Sequence, residues 1–136
     1  MYDQIMLAVN QKLEVLFPEV RILTGPSEEE IQEPYFETGI SQALERCVNG
    51  SRYSCTAKVF VNYYPLNESQ SYEEQYRILE VLMDHFEFVS LAGVSLKSNG
   101  SSGSFENGNL FFQTEYQMHR LKNGEEEASM EDMKLK

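Results

Sequence analysis

Near the start of the chain, apolar residues recur at intervals of three and four: Tyr2, Ile5, Met6, Val9, Leu13, Leu16 and Phe17. That is the spacing of one helix face, so a helix is predicted from Tyr2 to Phe17, with Asp3 at its N-cap and Pro18 ending it. Val20 to Leu23 is short and β-branched and reads as a strand that stops at Thr24-Gly25-Pro26. From Tyr35 the period changes to two. Phe36, Ile40 and Leu44 share one parity with Thr38 and Gln42, while Glu37, Gly39 and Ser41 take the other. Asn49-Gly50 marks a hairpin turn, because both residues tolerate positive φ. It leads into a strand with Tyr53, Cys55, Ala57, Val59, Val61 and Tyr63 on its odd positions, closed by Pro65.

Ser71-Tyr72-Glu73-Glu74 has the form of a capping box and opens a second helix. Tyr72, Tyr76, Leu79, Met83 and Phe86 form its predicted main stripe, widened by Ile78 and Leu82. Beyond it, Val89 to Leu96 reads as a strand, Asn99-Gly100 as a turn and Ser102 to Glu106 as a short edge strand. Asn107-Gly108 is then a hairpin turn into a last strand, where Leu110, Phe112, Thr114, Tyr116 and Met118 oppose Phe111, Gln113, Glu115, Gln117 and His119. This order predicts an α+β fold: a mixed, mostly antiparallel sheet with two helices packed on one face, in a single domain. The predicted core takes Ile5, Val9, Leu13 and Leu16 from the first helix and Leu79, Leu82, Met83 and Phe86 from the second. The sheet contributes Val59, Val61, Leu110, Phe112 and Tyr116.

The 136 residues are enough for one module, read here as a domain over 1–122 and an acidic tail over 123–136 that lacks apolar periodicity and is expected to be disordered. With 11 Lys plus Arg against 22 Asp plus Glu, the net charge of −11 excludes binding nucleic acid through a basic face. No apolar run is long enough to span a bilayer and no leader pattern opens the chain, so the sequence predicts a protein kept in the cell that made it, with Cys47 and Cys55 as free thiols.

Candidate chemistry is sparse. His85 and His119 lack metal-ligand spacing, and the two cysteines lack a Cys-x-x-Cys arrangement. The Gly-rich run from Asn99 to Ser104 lacks the Lys-Ser or Lys-Thr and the following helix of a phosphate loop, and Glu28, Glu29 and Glu30 lack a calcium-loop pattern. No nucleophile, base and oxyanion site assemble, so no enzyme, catalytic residue, metal or cofactor is expected. What remains is surface. Phe60, Tyr64 and Phe111 fall on the parity opposite the core, where they form either a contact surface or a face covered by the chain's own loops. A small ligand-binding or regulatory α+β module, with a metabolite on that face, is the alternative function.

Leu16-Phe17-Pro18 closing an amphipathic helix, an acidic loop running into Gln32-Glu33-Pro34-Tyr35-Phe36, and a hairpin into Asn49-Gly50-Ser51-Arg52-Tyr53 follow one another in a set order. With Val59-Phe60-Val61-Asn62-Tyr63-Tyr64-Pro65, the helix from Ser71 and Leu110-Phe111-Phe112 through Tyr116 to Leu121, that order resembles the tail terminator proteins of phages and prophages of Gram-positive bacteria. Glu37 and Thr38 depart from the apolar residues expected after Pro-Tyr-Phe. The resemblance implies a structural subunit that forms a ring, commonly a hexamer, on the head-proximal end of the tail tube. Such a ring stops tube growth, presents a docking surface to the head connector and lets DNA through without binding it. The protein would sit in the host cytoplasm during assembly and then in the virion tail, with itself, the tube protein and the connector as partners. On that reading Phe60, Tyr64 and Phe111 are partner contacts, and Glu37 and Glu115, or Glu28, Glu29 and Glu30, line or border the channel.

Overall fold

Eight elements are present in the computed structural model, which describes residues 1–24, 34–65 and 72–122. They are α1 (Tyr2–Leu16), β1 (Arg21–Thr24), β2 (Tyr35–Asn49), β3 (Arg52–Tyr64), α2 (Tyr72–His85), β4 (Phe88–Leu91), β5 (Val94–Glu106) and β6 (Asn109–Leu121). The strands form one sheet in the order β1-β2-β3-β6-β5-β4, with β1 parallel to β2 and every other pair antiparallel. The fold is therefore α+β, as the pattern predicts.

Helix α1 buries Ile5, Val9 and Leu13, and ends where the Phe17 N–H donates back to the Leu13 carbonyl, just before Pro18. Met1, not Asp3, occupies the N-cap; Asp3 lies in the first turn, where its carboxylate accepts from the Met1 ammonium at 3.0 Å and meets the positive end of the helix dipole. The two edge strands both reach α1. Asn10 Nδ2 donates to Thr24 Oγ1 of β1, and Lys12 Nζ donates to the Phe88 carbonyl of β4. The sheet thus curls into a half-barrel around α1.

Helix α2 packs on the same face of the sheet but turns differently from the predicted stripe. Gln75, Ile78 and Leu82 are its buried residues, Leu79 and Met83 flank them, and Tyr72 and Tyr76 point outward. Two contacts rotate it. Gln75 Nε2 donates to the Gly108 carbonyl at 2.8 Å, drawing that side of the helix inward, and Leu79 sits directly on the bare backbone of Gly103. A Cβ on Gly103 would lie 2.5 Å from Leu79 Cδ1, so glycine there sets how closely helix and sheet approach. The predicted capping Ser71 lies outside the described residues, as does the predicted tail over 123–136.

Of the three Asn-Gly pairs among the described residues, two make hairpin turns, with positive φ at Gly50, Asn107 and Gly108. The third does not. Asn99-Gly100 lies inside β5 as a bulge, the register stepping from Ser98↔Tyr116 to Gly100↔Glu115. Ser98 Oγ accepts from the Gly100 N–H and contacts Thr114 Oγ1 at 2.7 Å, which satisfies the groups a bulge leaves over. Ser102 to Glu106 is accordingly the outer part of β5 and not a separate strand. The strand predicted over Val89 to Leu96 is instead broken by Ala92-Gly93, both at positive φ, into the β4–β5 hairpin.

A second bulge, at Ser41, corrects the parity of β2. Ile40 pairs with Val59, but Gln42 pairs with Lys58 and Ala43 with Ala57. Leu44 consequently falls on the far face and is exposed, while Glu45 swings to the helix side opposite Cys55. The core gathers Ile5, Val9, Leu13, Phe36, Val59, Val61, Tyr63, Ile78, Leu82, Phe86, Val89, Leu96, Leu110, Phe112 and Tyr116. Leu16, Leu79 and Met83 pack at its margin instead of inside it. The Tyr116 hydroxyl is satisfied by donation to the Phe86 carbonyl at 2.6 Å. Past the helices, the distal parts of β2, β3 and β6 extend as an arm on which Leu44, Val48 and Leu121 are exposed.

Candidate contact surfaces

All five of the described residues singled out from sequence lie on the one sheet face that carries no helix. Strand register places Glu37, Asn62, Phe111 and Ser104 in one row, Phe60, Gln113 and Ser102 near Gly39 in the next, and Gln42, Lys58, Glu115 and Gly100 beyond them. Glu28, Glu29 and Glu30 lie outside the described residues.

The aromatics on this face are half-buried against their own neighbours. Tyr64 stacks on Tyr35 at 4.7 Å between centroids and meets Phe111 edge-on at 6.3 Å. Phe60 lies flat over Gly39, where an added Cβ would come within 2.7 Å of the ring. The Tyr64 hydroxyl donates to Glu37 Oε1 at 3.1 Å, and Asn62 Nδ2 reaches the same oxygen at 3.4 Å. Burial and the Glu37 charge together push the Tyr64 hydroxyl up to about 12. Glu37 is therefore tied to its neighbours, and Lys58 sits directly across from Glu115. The face is polar and only locally acidic. Its shallow depression of about 390 Å³, bordered by Phe60, Asn62, Ser102, Ser104 and Phe111, is open and about half polar, unlike the concave, predominantly apolar pocket that holds a metabolite.

Two surfaces escaped the sequence reading. The first is the pair of unpaired sheet edges. Strand β1 ends at Thr24, opposite Thr38, so β2 from Gly39 to Asn49 has no strand on its outer side among the described residues. At the other border β4 covers only Val94 to Lys97 of β5 and the Ser98 N–H donates to the Glu87 carbonyl, which leaves Asn99 to Glu106 without an outer strand among the described residues. Pairing is non-local, so periodicity could not show which strands border the sheet. The second is a charged cluster on the arm, where Glu45 takes Lys122 Nζ on one oxygen and both Cys55 Sγ, at 3.3 Å, and Arg120, at 3.5 Å, on the other. Hydrogen bonding from Lys122 and then from Cys55 holds the Glu45 carboxyl below its ordinary value, and the same contact raises Lys122. Burial and the Glu45 contact push the Cys55 thiol up, so it is an unreactive group. Cys47 is exposed and pairs in register with Tyr53, not with Cys55.

Among the described residues no helix is long and apolar enough to cross a membrane, and no cluster of three or more His, Cys, Asp or Glu is placed to hold a metal ion.

No curated protein matches the chain. Among solved structures, one chain that carries no functional name aligns with 90% of this chain and 96% of its own length, at 11% identity and a TM-score of 0.46. The family described as "Phage tail terminator protein" matches residues 4–128. That span runs from the first turn of α1 through the end of β6 and six residues past Lys122, into the acidic segment. Its length, and not any single motif, carries the assignment: the chain belongs to the phage tail terminator family and has a structural role in phage tail assembly.

Proposed function

We propose that the protein closes the head-proximal end of the tail tube as a ring, stops tube polymerisation there and presents the surface on which the head connector docks. The family supports a terminator, and the observation that carries the ring is the pair of free edges on opposite borders of one sheet. An unpaired edge is a template for another strand, and natural proteins seldom leave long ones open. Joining β2 of one copy to β5 of the next is a heterologous contact, which either closes into a ring or grows into a fibre. The resemblance implies six copies.

In such a ring the helix-free face turns to the lumen and both helices lie outside. The lumen wall then carries Asn62, Ser102, Ser104, Gln113 and Thr56 with Glu37 and Glu115, a polar surface without a basic stripe to hold passing DNA. Tyr64 and Phe111, with Tyr35, cluster at one end of the sheet and so at one rim, where aromatic anchors serve contact with the last tube ring; Phe60 adds apolar area below them. The experiment is a binding assay on preformed tubes of the cognate tube protein. Bound protein should rise in proportion to the number of ends when the same mass of tube is sheared shorter. Binding proportional to tube mass, or none, contradicts end capping.

A further inference from the structure

The two free edges differ on their helix side, and the difference fits one to the other. Beside β5, Tyr72 and Tyr76 stack on each other at 6.2 Å, and both meet the Phe105 ring edge-on, at 6.2 and 5.3 Å. The seat of Leu79 on Gly103 fixes α2 above β5, so the preceding turn carries the two tyrosines over Phe105 and leaves them 53% and 55% exposed. They form a rigid aromatic knob. Beside β2, where β1 stops, a notch of about 580 Å³ opens between the first turn of α1 and the bare edge at Gly39 and Ile40. Its walls are mostly apolar, from Tyr2, Met6, Ile40 and Phe60, and Asp3 supplies a carboxylate at the rim.

We propose that the Tyr72–Tyr76 knob of one subunit seats in the Tyr2–Met6–Ile40 notch of the next copy of this chain, and so selects the partner edge in the ring. The inference rests on the ring reading above and deepens it. Knob and notch flank the two free edges: the knob lies on the helix side of β5, and the notch opens on the helix side of β2 between Tyr2, Met6 and Ile40 and wraps its bare edge to Phe60 on the other face, so strand pairing between β2 and β5 of successive copies brings them near each other. They stand at a fixed offset along the strands: Phe36, Tyr63, Leu110 and Phe105 form one row across the sheet, and Gly39 and Ile40 lie three and four residues below Phe36, about 10 to 13 Å at the rise of a strand, so seating the knob requires the paired subunits to be staggered by that amount. An aromatic body with a hydroxyl tip suits an apolar notch with a carboxylate rim, since the ring is buried while the hydroxyl donates to Asp3. Because the two surfaces differ, the contact is head-to-tail.

The test is native mass spectrometry and light scattering on the full chain, alone and with its cognate tube protein. A knob variant carries Tyr72→Asp with Tyr76→Asp, a notch variant carries Met6→Lys, and Asp3→Arg is a second notch variant at a more exposed position. Expected are a wild-type ring, loss of assembly by at least tenfold in each variant that keeps the wild-type circular dichroism spectrum and a cooperative melt, and a two-chain species when knob and notch variants are mixed. In that mixture one intact knob meets one intact notch and growth stops. Wild-type assembly retained by the knob variant, or by a folded notch variant, overturns the knob-and-notch contact and leaves the ring standing. A wild-type chain that assembles neither alone nor on tubes overturns the ring and this contact with it.

Discussion

Individual side chains decide more here than their types suggest. Val61 and Phe112 lie across from each other in the core and are fully buried, so Val61→Asp or Phe112→Asp leaves an unpaired charge costing several kcal/mol against a total stability of about 5 to 15. Both variants should be insoluble or unfolded by circular dichroism; near wild-type melting would refute the register. Gly39 and Phe60 make a coupled pair. Gly39→Ala forces the Phe60 ring off its seat and should cost about 1 to 3 kcal/mol, while the same change in a Phe60→Ala background should cost much less, as measured by a urea double-mutant cycle. Tyr64 contributes a pH dependence. Its folded pKa is raised, so the stability from its protonated hydroxyl is complete below pH 10 and is lost as pH climbs toward 12. An ultraviolet titration of Tyr64→Phe should therefore lack one late-ionising tyrosine. None of these contacts was legible in the sequence beyond parity: alternation put Phe60, Tyr64 and Phe111 on one face, but glycine as a seat for a ring depends on which strand lies next to it.

Among the elements, periodicity located both helices and most strands, and it failed where backbone irregularity or tertiary contact intervened. In α2 the aromatic residues Tyr72 and Tyr76 satisfied the helical stripe, yet the Gln75–Gly108 hydrogen bond and the Leu79–Gly103 seat turned the helix so that Ile78 and Leu82 went inside. A polar residue at the centre of a buried helix face gives no hydrophobic signal. Leu82→Ala should accordingly cost about 2 to 5 kcal/mol, whereas Tyr76→Ser should leave the melting temperature nearly unchanged. Scanning calorimetry of the two variants checks this, and the reverse ranking would restore the stripe read from sequence. Bulges at Ser41 and Asn99 each shift parity by one, which sent Leu44 outward and brought Glu45 to Cys55 and Lys122. Asn-Gly signals a local preference for positive φ; whether that becomes a turn or a bulge depends on the partner strand. The Glu45 cluster also sets an acid sensitivity for the arm. Its lowered carboxyl gives stability that is present above the ordinary glutamate range and lost as pH falls through the folded value, so the protection of arm amides relative to their intrinsic exchange rate should fall at low pH and Glu45→Gln should remove that dependence.

At the level of the whole molecule, the fold class followed from the pattern, and the match over residues 4–128 places the chain in a structural tail family. The sheet edges could not be read, because strand order is set by pairings far apart in sequence. We propose that the acidic segment 123–136 is dispensable for folding of the subunit, since five acidic residues, Glu125, Glu126, Glu127, Glu131 and Asp132, with few large apolar ones cannot offset ordering entropy. Lys122 must be kept, because its N–H donates to the Ser51 carbonyl and its ammonium to Glu45. A chain ending at Lys122 should melt within about 1 °C of the full one; a drop of many degrees would show that the segment packs on the body.

The central claim, that this subunit caps the tube, is tested most directly by the length of tubes grown in its presence. Cognate tube protein polymerised with rising amounts of this chain should give a length distribution by electron microscopy that shortens and narrows, with a disc of extra density at one end of each tube. Phe111→Ala and Phe60→Ala should weaken that capping if the rim aromatics carry the contact. Tubes of unchanged, unlimited length with bare ends, in the presence of excess wild-type protein, would contradict the account.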